Sequence, residues 1–325
     1  MLITFSRGIS RIKCLSIILG QRVIYRIYIP FIFNYRGVVG WGQKSTTIKA
    51  KCFAKKKQLP YISLEDGFLR SVGLGVDGAV PHSLIVDFSG VYYDATRSSD
   101  LEKYIVELRL SKEERDRAQR CILLLKRYRL SKYNQAPEMT FAKTNEPRIL
   151  VVDQTAGDAS ITYGLAGDQA FEKMLNQAKL DHPNAEILVK IHPDVIAGKK
   201  QGYLLELSRQ YGCSLLTEAC NPWSIFDIVS EVYVVTSQLG FEALLAGKKV
   251  HCFGMPFYAG WGLTCDQFVC ERRVESRSLE EVFYAAYIQY CRYMNPSTGE
   301  MCQVEDTMLN LYSERLRVLD TAKGF

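Results

Sequence analysis

Apolar residues in this chain come as short unbroken runs separated by stretches with a helical repeat. Residues 148–152, Arg-Ile-Leu-Val-Val, form such a run, of the kind a strand buried on both faces shows. Similar runs at 186–191, 214–216, 231–235 and 249–253 alternate with helical patterns near 167–180, 203–211, 222–229 and 241–246. Strands alternating with helices predict βαβ units and a parallel sheet. Earlier in the chain, strands are expected at 2–5, 35–39 and 61–64, with a helix after the first and a basic helix at 49–57. Residues 81–94, which include Ile85, Val86, Val91 and Tyr92, read as a hairpin near a sheet edge. Ser111-Lys112-Glu113-Glu114 is a capping box that opens a long helix to about Lys132. Residues 133–147, with Pro137 and Pro147 and little periodicity, mark a boundary. The expected organisation is α/β, with two Rossmann-like domains at 1–135 and 136–325 and the C-terminal helices free to pack back on the first domain.

A length of 325 residues supports the two-domain reading, being more than one core usually holds. Ordinary hydrophobic content, 47%, and 23% charged residues mark a globular chain. The net charge of +6 fits an anionic ligand or membrane surface and falls short of a nucleic-acid binder's excess. None of the ten cysteines forms a CxxC pair, which argues against a zinc or redox site and for reduced thiols in a cytoplasm. Residues 17–33 are apolar but broken by Gln21, Arg22 and Arg26, too short a run for a bilayer span or a signal peptide. A core helix is the favoured reading there, with docking on a membrane surface as the alternative.

Candidate chemistry gathers where strands end. The run at 148–152 empties into Asp153-Gln154-Thr155-Ala156-Gly157-Asp158, and open α/β sheets bind ligands at such ends. Asp158 reads as a nucleophile, a general base or the cap of the next helix. His192, stiffened by Pro193, can donate to a phosphate oxygen or bond a backbone carbonyl. Thr236-Ser237-Gln238 reads as an N-cap whose free N–H groups also suit an anion. Glu65-Asp66-Gly67 offers paired carboxylates for acid–base work or a plain turn, and nearby Arg70 can pair with an acidic substrate or with Glu65. Gly40 and Gly42, just past a strand, allow close backbone approach. The chain has no Asp-x-Asp, GxxxxGK[ST] or HExxH motif, so metal-assisted phosphate chemistry lacks its usual ligands.

Longer stretches carry a resemblance. LEDGFLRSVGLG (64–75), PHSLIVDFSGVYYDATRSSDLE (81–102), QTAGDAS (154–160), KIHPD (190–194), TSQLGFEALLAGKKVHCFGMPFYAGWGLT (236–264) and NPSTGEMC (295–302) resemble the capsule polysaccharide β-Kdo transferases of the KpsC type. The resemblance implies a GT-B-like arrangement with an interdomain cleft, an acceptor-side first domain and a CMP-sugar-binding second one. It implies a retaining enzyme that takes Kdo from CMP-Kdo, needs no cofactor or metal, and extends a Kdo-terminated, lyso-phosphatidylglycerol-linked acceptor. The cytoplasmic face of the inner membrane is the implied location, with peripheral membrane contact, other capsule biosynthesis proteins as partners, and no nucleic acid. Asp158 would be the nucleophile, and Glu65 or Asp66 the acid/base. His192, Pro193, Ser237, Gln238, Gln154 and Lys190 would hold the donor, and Arg70, Gly40 and Gly42 the rest of the substrate. Two alternatives stay open. One is an inverting enzyme in which Asp66 is the base and Asp158 a cap. The other is a non-catalytic or partner-dependent module that binds CMP-Kdo or nascent glycolipid. Such proteins carry two modules in tandem, and this chain holds one.

Overall fold

The structure is a computed structural model describing residues 1–12, 14–29, 34–43 and 47–323. The first strands are β1 (Leu2–Thr4), β2 (Val23–Tyr25), β3 (Gly37–Trp41), β4 (Tyr61–Asp66) and β5 (Ser83–Asp87). Six more follow: β6 (Arg148–Val152), β7 (Glu186–Lys190), β8 (Ser214–Leu216), β9 (Glu231–Val234), β10 (Lys249–Cys252) and β11 (Cys265–Asp266). These six form one all-parallel sheet in the order β11-β10-β9-β6-β7-β8. The chain then returns as β12 (Cys291–Met294) and β13 (Met301–Cys302), which complete the first sheet in the order β13-β12-β5-β4-β3-β1-β2. Residues 291–302 thus belong to the first sheet although they follow the second in sequence. The architecture is α/β, two Rossmann-like halves in a GT-B-like arrangement.

Several elements differ from the sequence expectation. Residues 23–25 form strand β2 rather than part of a helix. Gly20, at φ +61°, ends the helical path, and the Leu2 N–H bonds the Arg22 carbonyl at 2.9 Å, drawing the segment alongside β1. Residues 30–33 of the same stretch lie outside the described residues. No hairpin forms at 81–94. The Asp87 carboxylate accepts the N–H groups of Ser89, Gly90 and Asp100, so the chain turns away from β5 and β12 takes the place beside it. The long helix, Lys112–Tyr128, opens with the expected capping box but stops at Arg129, whose left-handed φ of 50° breaks the ladder.

The two sheets share one core. Phe68, after β4, stacks on Tyr287 with ring centres 5.1 Å apart and meets Phe257 at 5.0 Å, while Phe241 meets Phe257 at 5.0 Å. This aromatic seam removes from water the faces that neither sheet could cover alone, each ring contributing about 2–3 kcal/mol. Polar braces cross the same boundary. The Gln238 amide donates to the Phe68 carbonyl at 3.2 Å, and Ala95 N–H donates to the Tyr163 carbonyl at 2.8 Å.

Glu242, on helix Leu239–Leu245, is a further brace. Its buried carboxylate accepts from the Ser131 hydroxyl at 2.9 and 2.8 Å and from the Lys132 N–H at 3.2 Å. Burial pushes its pKa up to about 7, those hydrogen bonds only partly opposing it. A pKa raised on folding stabilises fully below the ordinary glutamate value, and the contribution is lost as pH rises through about 7. Urea unfolding at pH 5.5 and 8.5 is therefore expected to show a drop of about 2 kcal/mol that Glu242→Gln removes. A pH slope unchanged in the variant would place the titration elsewhere.

Candidate active site

In a doubly wound sheet, ligands bind where the strand order reverses, outside the carboxyl ends of the strands. The second sheet reverses between β6 and β9, since the chain runs outward from β6 through β7 and β8 and then restarts at β9 on the other side. The loops leaving β6 and β9 carry Asp153 to Ser160 and Thr236 to Gln238. Opposite them stand Gln43, after β3, and the end of β4. Between the two edges lies a cleft of about 890 Å³.

Seven of the sequence-predicted residues line this cleft: Asp158, Glu65, Asp66, His192, Ser237, Gln238 and Gln154. Asp158 is exposed at the tip of the β6 loop, where Gly157, at φ +80°, reverses the chain. Its Oδ1 accepts the Ser160 N–H at 2.9 Å, capping helix Ala159–Tyr163. The cap uses one carboxylate oxygen, so capping and a reactive role are compatible.

Glu65 and Asp66 are strand residues of β4 rather than a turn, paired with Ile85 and Leu84 of β5. Each has a tyrosine beside it. The Tyr93 hydroxyl donates to Glu65 Oε1 at 3.0 Å and accepts the Gln43 N–H at 3.0 Å. Burial, then the Glu65 charge, push the Tyr93 pKa far above the ordinary value, so it stays a donor. Tyr133 sits beside Asp66, and burial followed by that carboxylate push its pKa up to about 12. The buried Arg70 guanidinium pairs with Asp66 Oδ1 at 3.0 Å.

His192 is exposed at the rim of the cleft. Its Nδ1 accepts the Asp194 N–H at 3.1 Å, which puts the proton of the neutral ring on Nε2. Desolvation lowers its pKa, Asp194 opposing and Lys200 and Lys190 reinforcing the shift. A neutral imidazole with Nε2–H as donor is the form at neutral pH. Ser237 Oγ accepts the Leu239 N–H at 3.2 Å, leaving its own proton to donate.

Arg70, Gly40, Gly42 and Lys190 do not line the cleft. Arg70 pairs with Asp66 rather than Glu65; its remaining bonds go to Ser71 Oγ at 2.7 Å and the Ala79 carbonyl at 3.0 Å. Gly40 and Gly42 make room for neighbours. A Cβ on Gly40 would lie 2.5 Å from Tyr61 Oη, and one on Gly42, at φ +34°, would lie 2.1 Å from Glu65 Oε1. Lys190 ends β7 half-buried, and burial lowers its pKa. Pro193 opens the helical turn Pro193–Ile196, its side chain lying outside the described residues. Gln154 lines the cleft, but its amide is spent on protein: Thr236 N–H donates to it at 3.0 Å, and it donates to Thr236 Oγ1 at 3.1 Å and Ser160 Oγ at 3.3 Å.

Sequence reasoning missed Tyr93, Tyr133, Lys132 and Gln43. Tyr93 was hidden because Val91 and Tyr92 read as a strand, and Lys132 and Tyr133 because the helix before them was expected to run on. Among the described residues, no group of three or more His, Cys, Asp or Glu is placed to hold a metal ion, and no helix is long and apolar enough to cross a membrane.

Comparison with known proteins shows the family. The profile of the capsule polysaccharide biosynthesis protein family matches residues 36–293. A solved structure titled Thermosulfurimonas dismutans KpsC, beta Kdo 2,4 transferase, superposes with a TM-score of 0.90 at 43% identity, over 96% of this chain and 97% of that one. A second from the same organism, titled beta Kdo 2,7 transferase, gives a TM-score of 0.74 at 29% identity, over 97% and 99%. The capsule polysaccharide modification protein LipA of Neisseria meningitidis is 44% identical over 318 residues, which is 93% of this chain and 44% of LipA. The chain thus spans under half the length of that relative. Its fold, its motifs and its sequence make it a member of the capsule polysaccharide biosynthesis protein family, of the KpsC type.

Proposed function

We propose that this chain is a retaining glycosyltransferase that moves Kdo from CMP-Kdo to a Kdo-terminated, lipid-linked acceptor in capsule linker synthesis. The observation that carries the reading is the convergence, in one cleft, of Asp158, Glu65, His192 and Ser237 from four separate loops and strands. In the first step an Asp158 oxygen attacks the anomeric carbon as the bond to the CMP phosphate breaks, and CMP leaves with the electron pair. His192 Nε2–H and the Ser237 hydroxyl donate to that phosphate as charge develops on it. In the second step the acceptor hydroxyl gives its proton to Glu65 and displaces the aspartate. Glu65 is assigned as that base because the Tyr93 hydroxyl holds its carboxylate at 3.0 Å in the cleft wall. No step needs a metal. Higher identity to the 2,4 than to the 2,7 transferase supports a 2,4 linkage.

The acceptor side carries a charge asymmetry that fits a lipid-linked substrate. Residues 1–64 contain twelve Lys and Arg and no Asp or Glu, and Ile17, Ile27 and Ile48 are exposed among them. Such a face suits peripheral contact with an anionic membrane such as the inner leaflet of a cytoplasmic membrane.

The test is incubation of the purified chain with CMP-Kdo, generated in situ, and a synthetic Kdo-terminated lipid, with mass and NMR of the product. One added β-Kdo is expected. An inverted linkage would leave Asp158 as a cap only, and CMP binding without product would favour a binding module.

A further inference from the structure

Among the described residues, the cleft holds a cation that neither the chemistry above nor a direct salt bridge uses. Lys132 lines it, half-buried, between the two halves. The neighbouring cations are committed: Arg70 to Asp66 at 3.0 Å, and Lys200 to Asp194 at 3.4 Å. Among the described residues no carboxylate forms a direct salt bridge with the Lys132 ammonium, the buried Glu242 charge acting on it only at longer range, and it lies 5.9 Å from the centre of the Tyr133 ring. A half-buried ammonium with no direct ion pair keeps its donors available, and an anion that arrives with the ligand can take them.

The backbone beneath this side chain is fastened on every side. Lys132 N–H bonds Glu242, and its carbonyl accepts from Arg70 N–H at 3.0 Å and Ser71 N–H at 3.3 Å. Ser131 N–H bonds Asn134 Oδ1 at 2.9 Å, and the Asn134 amide returns to the Ser71 and Ser131 carbonyls at 3.1 and 2.9 Å. Glu242 sits on the helix that follows Ser237, so the turn carrying Lys132 is registered against the donor loop. Fixing the stem reduces the entropy lost when the ammonium engages a ligand.

We propose that Lys132 recognises the carboxylate of the sugar acid and so separates acidic from neutral sugars in this cleft. The proposal rests on the Kdo-transferase reading, in which the nucleotide phosphate is met by His192 and Ser237. A sugar carboxylate is the anion left for Lys132. It comes either from the Kdo of the donor or from the terminal Kdo of the acceptor.

The experiment uses the full chain with Lys132→Met, which keeps the length and removes the charge, and Lys132→Arg, which keeps the charge. Three quantities are read: hydrolysis of CMP-Kdo without acceptor, KM for the synthetic acceptor, and inhibition by CMP alone. Lys132→Met is expected to lose about 10- to 100-fold in kcat/KM, with CMP inhibition within about twofold of wild type and most of the loss restored in Lys132→Arg. A loss in hydrolysis assigns the donor carboxylate; normal hydrolysis with a raised acceptor KM assigns the acceptor's. CMP inhibition weakened by the same factor would overturn the proposal, because the cation would then serve the phosphate or the fold. Less than about threefold change in both arms would also overturn it. A wild type that leaves CMP-Kdo untouched takes down the transferase reading and this proposal with it, whereas an active wild type matched by Lys132→Met takes down Lys132 alone.

Discussion

Asp158→Asn is expected to lower Kdo transfer by at least about 10³-fold while the protein melts within a few degrees of wild type. Asparagine keeps the side-chain oxygen that accepts the Ser160 N–H at 2.9 Å, so the cap on helix Ala159–Tyr163 survives. What the substitution removes is the negative oxygen that attacks the anomeric carbon. Asp158→Ala is expected to lose as much activity and in addition about 1 kcal/mol of stability, because the cap goes as well. Comparing the two separates nucleophile from cap. Near-normal turnover in Asp158→Asn, with activity lost only in Asp158→Ala, would make capping the whole role and would return the retaining mechanism to the inverting alternative.

The largest stability effect is expected at Glu102. This residue lies on helix Asp100–Glu107, is 5% exposed, and meets Arg272 Nε at 2.6 Å and the buried Arg273 Nε at 3.0 Å. Arg273 in turn donates to the Pro256 and Ala259 carbonyls at 2.6 and 2.7 Å, and Arg272 to the Ala95 carbonyl at 2.6 Å. The pair thus ties a helix of the first half to the loop that carries Pro256, Phe257 and Tyr258 into the cleft. Removing the carboxylate alone leaves a guanidinium buried without its counter-charge. Glu102→Ala is therefore expected to cost about 3–5 kcal/mol, measured by urea unfolding at neutral pH. A loss under about 1 kcal/mol would mean that water or the carbonyls replace the pair, and that the aromatic seam alone holds the halves together.

Much of the second half was legible from pattern alone. The run at 148–152 is strand β6 to the residue, because Arg148 and four apolar positions between Pro147 and Asp153 leave no other length for a buried strand. The capping box at Ser111 reads correctly because it is local: the side chains and backbones of Ser111 and Glu114, three residues apart, settle it. The strand ends were legible too, so Asp158, His192 and Ser237 could be singled out before their meeting was visible. Local pattern failed where distant partners decide. Residues 91–93 look like a second strand of a hairpin, yet Asp87 gathers the N–H groups around them and sends Tyr93 to Glu65.

The sequence by itself determined the alternation of strand and helix, the capped helix starts and the set of polar strand ends, since each depends on residues within a few positions of one another. Only the tertiary structure decided what those groups do. Arg70 was expected to pair with an acidic substrate or with Glu65, and packing placed it against Asp66. Gln154, expected to hold the donor, lines the cleft and also ties Thr236 to Ser160. Lys132 had no local signal at all, because its exposure to the cleft follows from Glu242, 110 residues on, holding the turn beneath it. Side-chain roles of this kind are set by which surfaces the two sheets bring together, and that is a property of the packed core rather than of any one stretch of chain.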